Sequence, residues 1–135
     1  MTALFNADTN GTATVTGMPL ILLRLEGAAM LAAALYAWHL TGDSWLVFGL
    51  LFFTPDLAML GYLAGPRAGA TAYNLVHSYA VAGLIGAIGL LAGAPLAVAA
   101  ALILAGHIGF DRMLGYGLKY PDAFGHTHLG KLGKR

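Results

Sequence analysis

The chain has 135 residues, of which 59% are hydrophobic and only 10% charged, with seven Lys or Arg against six Asp or Glu and a net charge of +1. Soluble domains carry about 25% charged residues, and a chain this small has too much surface to cover with so few. A soluble enzyme, a disordered chain and a nucleic-acid binder are excluded, and the mean hydropathy of +0.74 points to an integral membrane protein. The distribution is sharper than the average: Ala68 to Phe110 contains no Asp, Glu, Lys or Arg. That length fits two membrane helices of about 20 residues and a tight turn. Cysteine is absent, which removes disulfides, thiolate metal sites and a cysteine nucleophile.

In chain order, residues 1–17 read as a polar segment rich in Thr and Asn, without the basic start of a secretory signal. The first apolar stretch, Met18 to Leu40, contains Arg24 and Glu26 and is expected to be a retained first span. Thr41-Gly42-Asp43-Ser44 makes a turn, with Ser44 positioned to cap the next helix. The second span, Trp45 to Leu63, is interrupted at Pro55-Asp56, where proline removes a backbone hydrogen bond and kinks the helix. Gly65-Pro66-Arg67 turns the chain into a third span, Ala68 to Ala92, and Gly93-Ala94-Pro95 into a fourth, Leu96 to Gly117. Tyr120-Pro121 ends it, and a basic tail follows.

Ala- and Leu-rich stretches of this length argue for helices and against alternating barrel strands. Gly61/Gly65 and Gly89/Gly93 have GxxxG spacing, and Gly83, Gly86 and Gly89 recur every three residues. Small residues so spaced let helices approach closely, although glycine is also simply common in membrane helices. Five of the seven basic residues, Arg112, Lys119, Lys131, Lys134 and Arg135, lie at or beyond the end of the fourth span, while Arg67 sits in the second loop. The positive-inside rule then places both termini and the Arg67 loop in the cytoplasm.

At about 1.5 Å per helical residue, His77 and Asp56 each lie roughly 15 Å from Arg67, and His107 and Asp111 roughly 18 and 12 Å from Lys119. With Glu26 two turns into the first span, all five fall in the cytoplasmic half of the membrane. His107 and Asp111 are i, i+4 and Asn74 and His77 are i, i+3, so each pair shares a face. Ionisable groups at such depth cost about 2.5–3.5 kcal/mol each on insertion scales, and they face the bundle interior to pair or to do chemistry. Two imidazoles with two or three carboxylates form a shell for zinc, iron or manganese. The metal would lower the pKa of a bound water, with a spare carboxylate as base, and the substrate would be a lipid ester or amide from the cytoplasmic leaflet. We therefore expect His77, His107, Asp111 and His128 as ligands, Glu26 and Asp56 as catalytic carboxylates, and Arg24, Asn74 and Arg112 in support. Other readings of the same residues are a structural hydrogen-bond network and a proton or ion pathway; a bis-histidine haem fits poorly beside three carboxylates.

His39 reads as interfacial. Tyr62, Tyr73, Tyr116 and Tyr120 near one boundary, and Trp38 and Trp45 near the other, read as interface anchors. His126-Thr127-His128 reads as part of a solvated tail, or as a segment folded back under the bundle to add ligands or close the site.

Taken together, Leu23-Arg24-Leu25-Glu26-Gly27, Pro55-Asp56-Leu57 with Met59-Leu60-Gly61-Tyr62, and Tyr73-Asn74 with His77 carry a resemblance. So does His107-Ile-Gly-Phe-Asp111-Arg112 running into Gly115-Tyr-Gly-Leu-Lys119-Tyr120, closed by Thr127-His128-Leu129-Gly130. From about Pro19 to Leu132 the chain resembles the small bacterial membrane family known as domain of unknown function 4260. The resemblance implies a four-span protein of the bacterial inner membrane. It also implies a shared pattern of Arg24, Glu26, Asp56, Asn74, His77, His107, Asp111, Arg112 and His128, to which His126 belongs less clearly. It implies no activity.

The expected fold is all-α: an integral membrane bundle of four transmembrane helices, both termini cytoplasmic. It divides into a polar N-terminal segment (1–17), a four-helix transmembrane domain (18–120) and a basic cytoplasmic tail (121–135). The expected function is a membrane-embedded, metal-dependent hydrolase of a lipid-like substrate. The alternative is a non-enzymatic scaffold or transporter subunit, which predicts a homo-oligomer, because four short spans make too narrow a bundle for a transport path.

Overall fold

The computed structural model describes residues 5–7, 13–121 and 124–131. The fold is all-α apart from two short hairpins. Helix α1 (Gly17–Thr41) ends where Gly42, at φ 75°, closes it in the left-handed conformation. After the expected turn come α2 (Trp45–Leu51) and a 3-10 helix (Thr54–Ala64), then α3 (Pro66–Val76), α4 (Tyr79–Ala92) and α5 (Pro95–Leu114). Strands β1 (Phe5–Ala7) and β2 (Ala13–Val15) pair antiparallel, as do β3 (His126–Thr127) and β4 (Gly130–Lys131). These hairpins have no counterpart in the sequence reading.

Three helical stretches are long and apolar enough to cross a membrane: Gly17–Thr41, Trp45–Ala64 and Pro95–Leu114. The bent pair α3 and α4 supplies a fourth if it is one span. Leucines such as Leu50, Leu63, Leu84, Leu91 and Leu96 stand more than half exposed on the outer faces. An exposed apolar surface of that extent fits lipid, not water. Inside, α5 packs against both α1 and α4, and the 3-10 helix packs against α3.

Two of the four stretches break, and both breaks have local causes. In the second, Pro55 has no N–H to offer the Leu51 carbonyl, which instead accepts from Thr54 Oγ1 at 2.7 Å. The Asp56 N–H turns back to the Phe53 carbonyl at 3.1 Å, and the chain continues as 3-10 helix. In the third, expected as one continuous span, α3 stops at Val76 and α4 starts at Tyr79, with a 44° bend between them. Ser78 caps α4, its Oγ accepting from the Ala80 N–H at 3.2 Å. Irregular backbone at membrane depth survives where protein surrounds it; at the third-stretch break His77 is fully buried, whereas at the second Pro55 is buried but Leu51, Phe53 and Thr54 are exposed.

Two further expectations change. Trp38 is not an interface anchor: it is 1% exposed and packs edge-on against Phe48, with ring centroids 5.1 Å apart, beside Ile103. Of the glycines in patterned spacing, Gly86 and Gly89 do lie against α5, whereas nothing comes near Gly65, Gly83 or Gly93. The tightest approach of backbone to backbone is elsewhere, where α1 crosses α5 at Gly27 and Gly109. A Cβ on Gly109 would stand 2.6 Å from the Gly27 carbonyl oxygen and 2.7 Å from the Leu31 amide.

Candidate metal centre

The backbone breaks deliver candidate ligands. Asp56 sits in the first turn of the 3-10 helix, and His77 is the residue that ends α3. Facing them, one side of α5 presents His107 and Asp111. The four side chains converge, with one ligand atom from each within 4.8 Å of the others. His77 Nε2 lies 3.3 Å from Asp56 Oδ1 and 3.4 Å from Asp111 Oδ2. His107 Nε2 lies 3.2 and 3.3 Å from the same oxygens, and the two Nε2 atoms are 3.1 Å apart. Both histidines are fully buried.

The protons of this group can be counted. The His77 backbone N–H and its Nδ1 both lie 2.9 Å from the Tyr73 carbonyl. Only an N–H faces a carbonyl, so Nδ1 carries the proton and the Nε2 of a neutral ring is bare. His107 Nε2 holds at most one proton, and that proton cannot serve His77 Nε2, Asp56 and Asp111 at once. The Tyr73 hydroxyl also donates to Asp111 Oδ2, and the Asp56 side chain is 35% exposed, so the crowding that remains is of His77 Nε2 against carboxylate oxygen. A cation at this point would be an alternative partner for those acceptors. Five of the six separations, at 3.1–3.4 Å, also suit it, because a tetrahedral ion with bonds of about 2.0–2.1 Å holds its ligands roughly 3.3 Å apart.

Supporting groups fix the ligands from behind. The Tyr73 ring stacks on His77 at 3.6 Å between centroids and 9° between planes, and its hydroxyl donates to Asp111 Oδ2 at 3.3 Å. Tyr73 is thus no interface anchor; it is 3% exposed. The buried Arg112 guanidinium donates to the His77 carbonyl and to the Tyr116 carbonyl, each at 2.9 Å, holding the α3–α4 break against the end of α5. Asn74 grips the Lys119 backbone from both sides, accepting from its N–H at 2.7 Å and donating to its carbonyl at 2.8 Å. His107 Nδ1 has no hydrogen bond of ordinary geometry among the described residues, although the Phe52 backbone acts on the ring. Phe52 and Phe53 both meet the His107 ring edge-on.

The remaining expected site residues lie apart. Arg24 is exposed and donates from Nε to the Met113 carbonyl at 2.8 Å, a cation at the C-terminal end of α5. Glu26 is exposed on α1 and joins Arg112 and His128 in lining a separate cavity of about 300 Å³. No hydrogen bond or ion pair joins it to the four-residue group among the described residues. His128 likewise stays outside that group: its Nδ1 accepts the Leu118 N–H at 2.9 Å. Burial, then the nearby Arg112 charge, holds the His128 ring below its ordinary pKa, against a smaller opposing effect of the Leu118 backbone.

The described part of the tail is folded back, not solvated. Tyr120 N–H donates to the His126 carbonyl, His128 N–H to the Leu118 carbonyl, and Val15 N–H to the His128 carbonyl. His126 and Thr127 are each 2% exposed. With Phe124, Thr127 forms the wall of a cavity of about 220 Å³ whose other lining includes Asp56, Asp111, Tyr73 and Lys119. Lys119, read from sequence only as a topology marker, is 5% exposed there. Burial pushes its ammonium below the ordinary value, with Asp111 and then Asp56 pulling it back up.

The sequence pattern of the family described as Domain of unknown function (DUF4260) matches residues 20–132. The chain belongs to this family. Every residue of the candidate metal centre and its cavity in this DUF4260 protein lies inside the matched stretch. No curated protein and no solved structure matches the chain.

Proposed function

We propose that this protein is a multi-pass protein of the bacterial inner membrane, both termini cytoplasmic, that holds a divalent zinc, iron or manganese ion and hydrolyses a lipid-like substrate. The observation that carries the reading is the convergence of four potential ligand atoms from two histidines and two aspartates. His77, His107 and Asp111 hold the ion. Asp56 is the base, because its side chain is 35% exposed against 10% for Asp111 and it opens on the cavity. When bound, such an ion lowers the pKa of a water to about 7. Asp56 takes a proton from the attacking water and returns it to the departing ester or amide atom. Tyr73 keeps Asp111 oriented, and Phe52 and Phe53 shield the site from behind.

Incubated with polar lipid extract, metal-loaded protein should release a hydrolysis product visible by mass spectrometry. Asp56→Asn should keep the metal yet lose at least about 100-fold in rate, the range for a positioned base. No product from the metal-loaded wild type would sink the hydrolase reading. Topology has its own check, since the chain lacks cysteine. In intact spheroplasts, Asp43→Cys should react with an impermeant maleimide and Arg67→Cys should not; the reverse pattern would invert the orientation.

One observation favours a metal-free structural network instead. Asp56, Asp111 and Lys119 line the cavity, and Arg112, which donates to the His77 carbonyl beside it, brings the charges of these four residues to zero. On that reading His77→Ala and Asp111→Ala lower stability and no metal copurifies.

A further inference from the structure

Helices α1 and α4 both pack on α5 but scarcely touch each other, which leaves a crevice between them with α5 as its floor. Where the tail reaches that crevice, Glu26 of α1, the first turn of α4, Arg112 of α5 and His128 enclose a cavity of about 300 Å³, separate from the one beside the metal centre. The proposed hydrolysis uses none of these groups.

The floor of this cavity is rich in donors. Arg112 is only 7% exposed, and a guanidinium has five N–H groups. Among the described residues two of them find acceptors, the His77 and Tyr116 carbonyls, so three are left for the cavity. His128 Nδ1 accepts the Leu118 N–H, so its neutral ring carries the proton on Nε2 and adds a further donor. The first turn of α4, from its cap at Ser78, adds the positive end of a helix dipole. The Tyr79 hydroxyl on that wall is buried and has no partner among the described residues.

The mouth is acidic. Glu26 is exposed and has neither a hydrogen bond nor an ion pair among the described residues. Beside it on α1, Leu22 and Leu25 are each at least half exposed on the apolar outer surface. A carboxylate among lipid-facing leucines is costly until a cation meets it, and Arg112 lies beyond ion-pair distance. A ligand that satisfies both ends carries an anion and a cation, and it arrives from the bilayer side. A phospholipid head group with phosphate and ammonium is such a ligand. A primary ammonium has three N–H donors for Glu26, whereas a quaternary one has none.

We propose that this cavity holds the head group of an ethanolamine phospholipid, phosphate on Arg112 and ammonium on Glu26, its acyl chains lying along the crevice between α1 and α4. The inference is independent of the metal-centre reading.

The test offers full-length protein, delipidated in detergent, equal amounts of dioleoyl phosphatidylethanolamine, phosphatidylglycerol and phosphatidylcholine. Retained lipid is read by native mass spectrometry. The wild type should retain phosphatidylethanolamine over either competitor by about fivefold, the upper range for an exposed ion pair. Glu26→Gln should lose that preference, and Glu26→Lys should reverse it toward phosphatidylglycerol. Arg112→Gln should retain all three lipids weakly. Arg112 also holds the α3–α4 break, so the variants at exposed Glu26 decide the matter if Arg112→Gln does not fold. Equal retention of the three lipids by the wild type, or a preference for phosphatidylglycerol, overturns the proposal. So does a phosphatidylethanolamine preference that survives in Glu26→Lys. The expected preference in a wild type that holds no metal supports this inference while sinking the metal centre.

Discussion

Purified in mild detergent and dialysed against metal-free buffer, the protein is expected on the proposed reading to carry about one zinc, iron or manganese ion per chain, held by His77, His107 and Asp111. His77→Ala, His107→Ala and Asp111→Ala should each carry only background metal by inductively coupled plasma mass spectrometry. Tyr73→Phe removes the hydroxyl that donates to Asp111 but leaves the ring stacked on His77. Its loss should be milder, about 10–100-fold in affinity, the range for an outer partner of a ligand. The grading matters as much as the loss. If all four variants and the wild type hold no metal above background, the centre is a hydrogen-bond network and the catalytic reading falls with it. If Tyr73→Phe loses metal as completely as His77→Ala, the ring is needed to build the site and not merely to orient it.

The second large effect concerns assembly. In a membrane, helices gain no hydrophobic energy by meeting, and close packing of their backbones replaces it. The closest packing joins Gly27 on α1 to Gly109 on α5, where an added Cβ meets backbone atoms that cannot rotate away. Gly109→Ala should destabilise the protein by about 1–3 kcal/mol, the usual cost of overpacking, and Gly109→Leu should prevent α1 from docking. Gly83→Ala is the control. Nothing lies within 4 Å of its added Cβ, and alanine favours the helix by up to about 1 kcal/mol. Equal thermal stability of Gly109→Ala and Gly83→Ala in detergent would show that the crossing is not tight. Because Gly109 lies between His107 and Asp111, its replacement should also lower metal content.

The apolar stretches, the proline interruption and the converging ionisable residues were legible in the sequence because the bilayer imposes length and penalises charge. Asp56, His77, His107 and Asp111 stood out for that reason alone. Glu26 stood out equally and lies elsewhere, because depth along a helix says nothing about which way a residue faces until the packing is known. His128 was drawn into the ligand set by its type, yet the Leu118 N–H claims its Nδ1. Tyr73 and Lys119 were read by composition near a boundary, where tyrosine and lysine are ordinary. The i, i+4 spacing of Tyr73 and His77 was a usable signal, since it puts both on one face. The break at His77 had no such signal, as no proline or glycine marks it. It depends on Arg112, 35 residues later, holding the His77 carbonyl.

The breaks in the second and third stretches also bear on how the protein is made. Asp56 and His77 lie in the middle of the chain, whereas His107 and Asp111 belong to its last long helix. A chain inserted only as far as α4 owns two of the four converging side chains and lacks the helix that carries the other two. Arrival of α5 completes the donor set, supplies the arginine that closes the third-stretch break, and offers Gly109 to α1, all in one event. On the metal-centre reading, an ion that needs His107 and Asp111 is captured only once α5 has docked, so a chain lacking α5 cannot hold it.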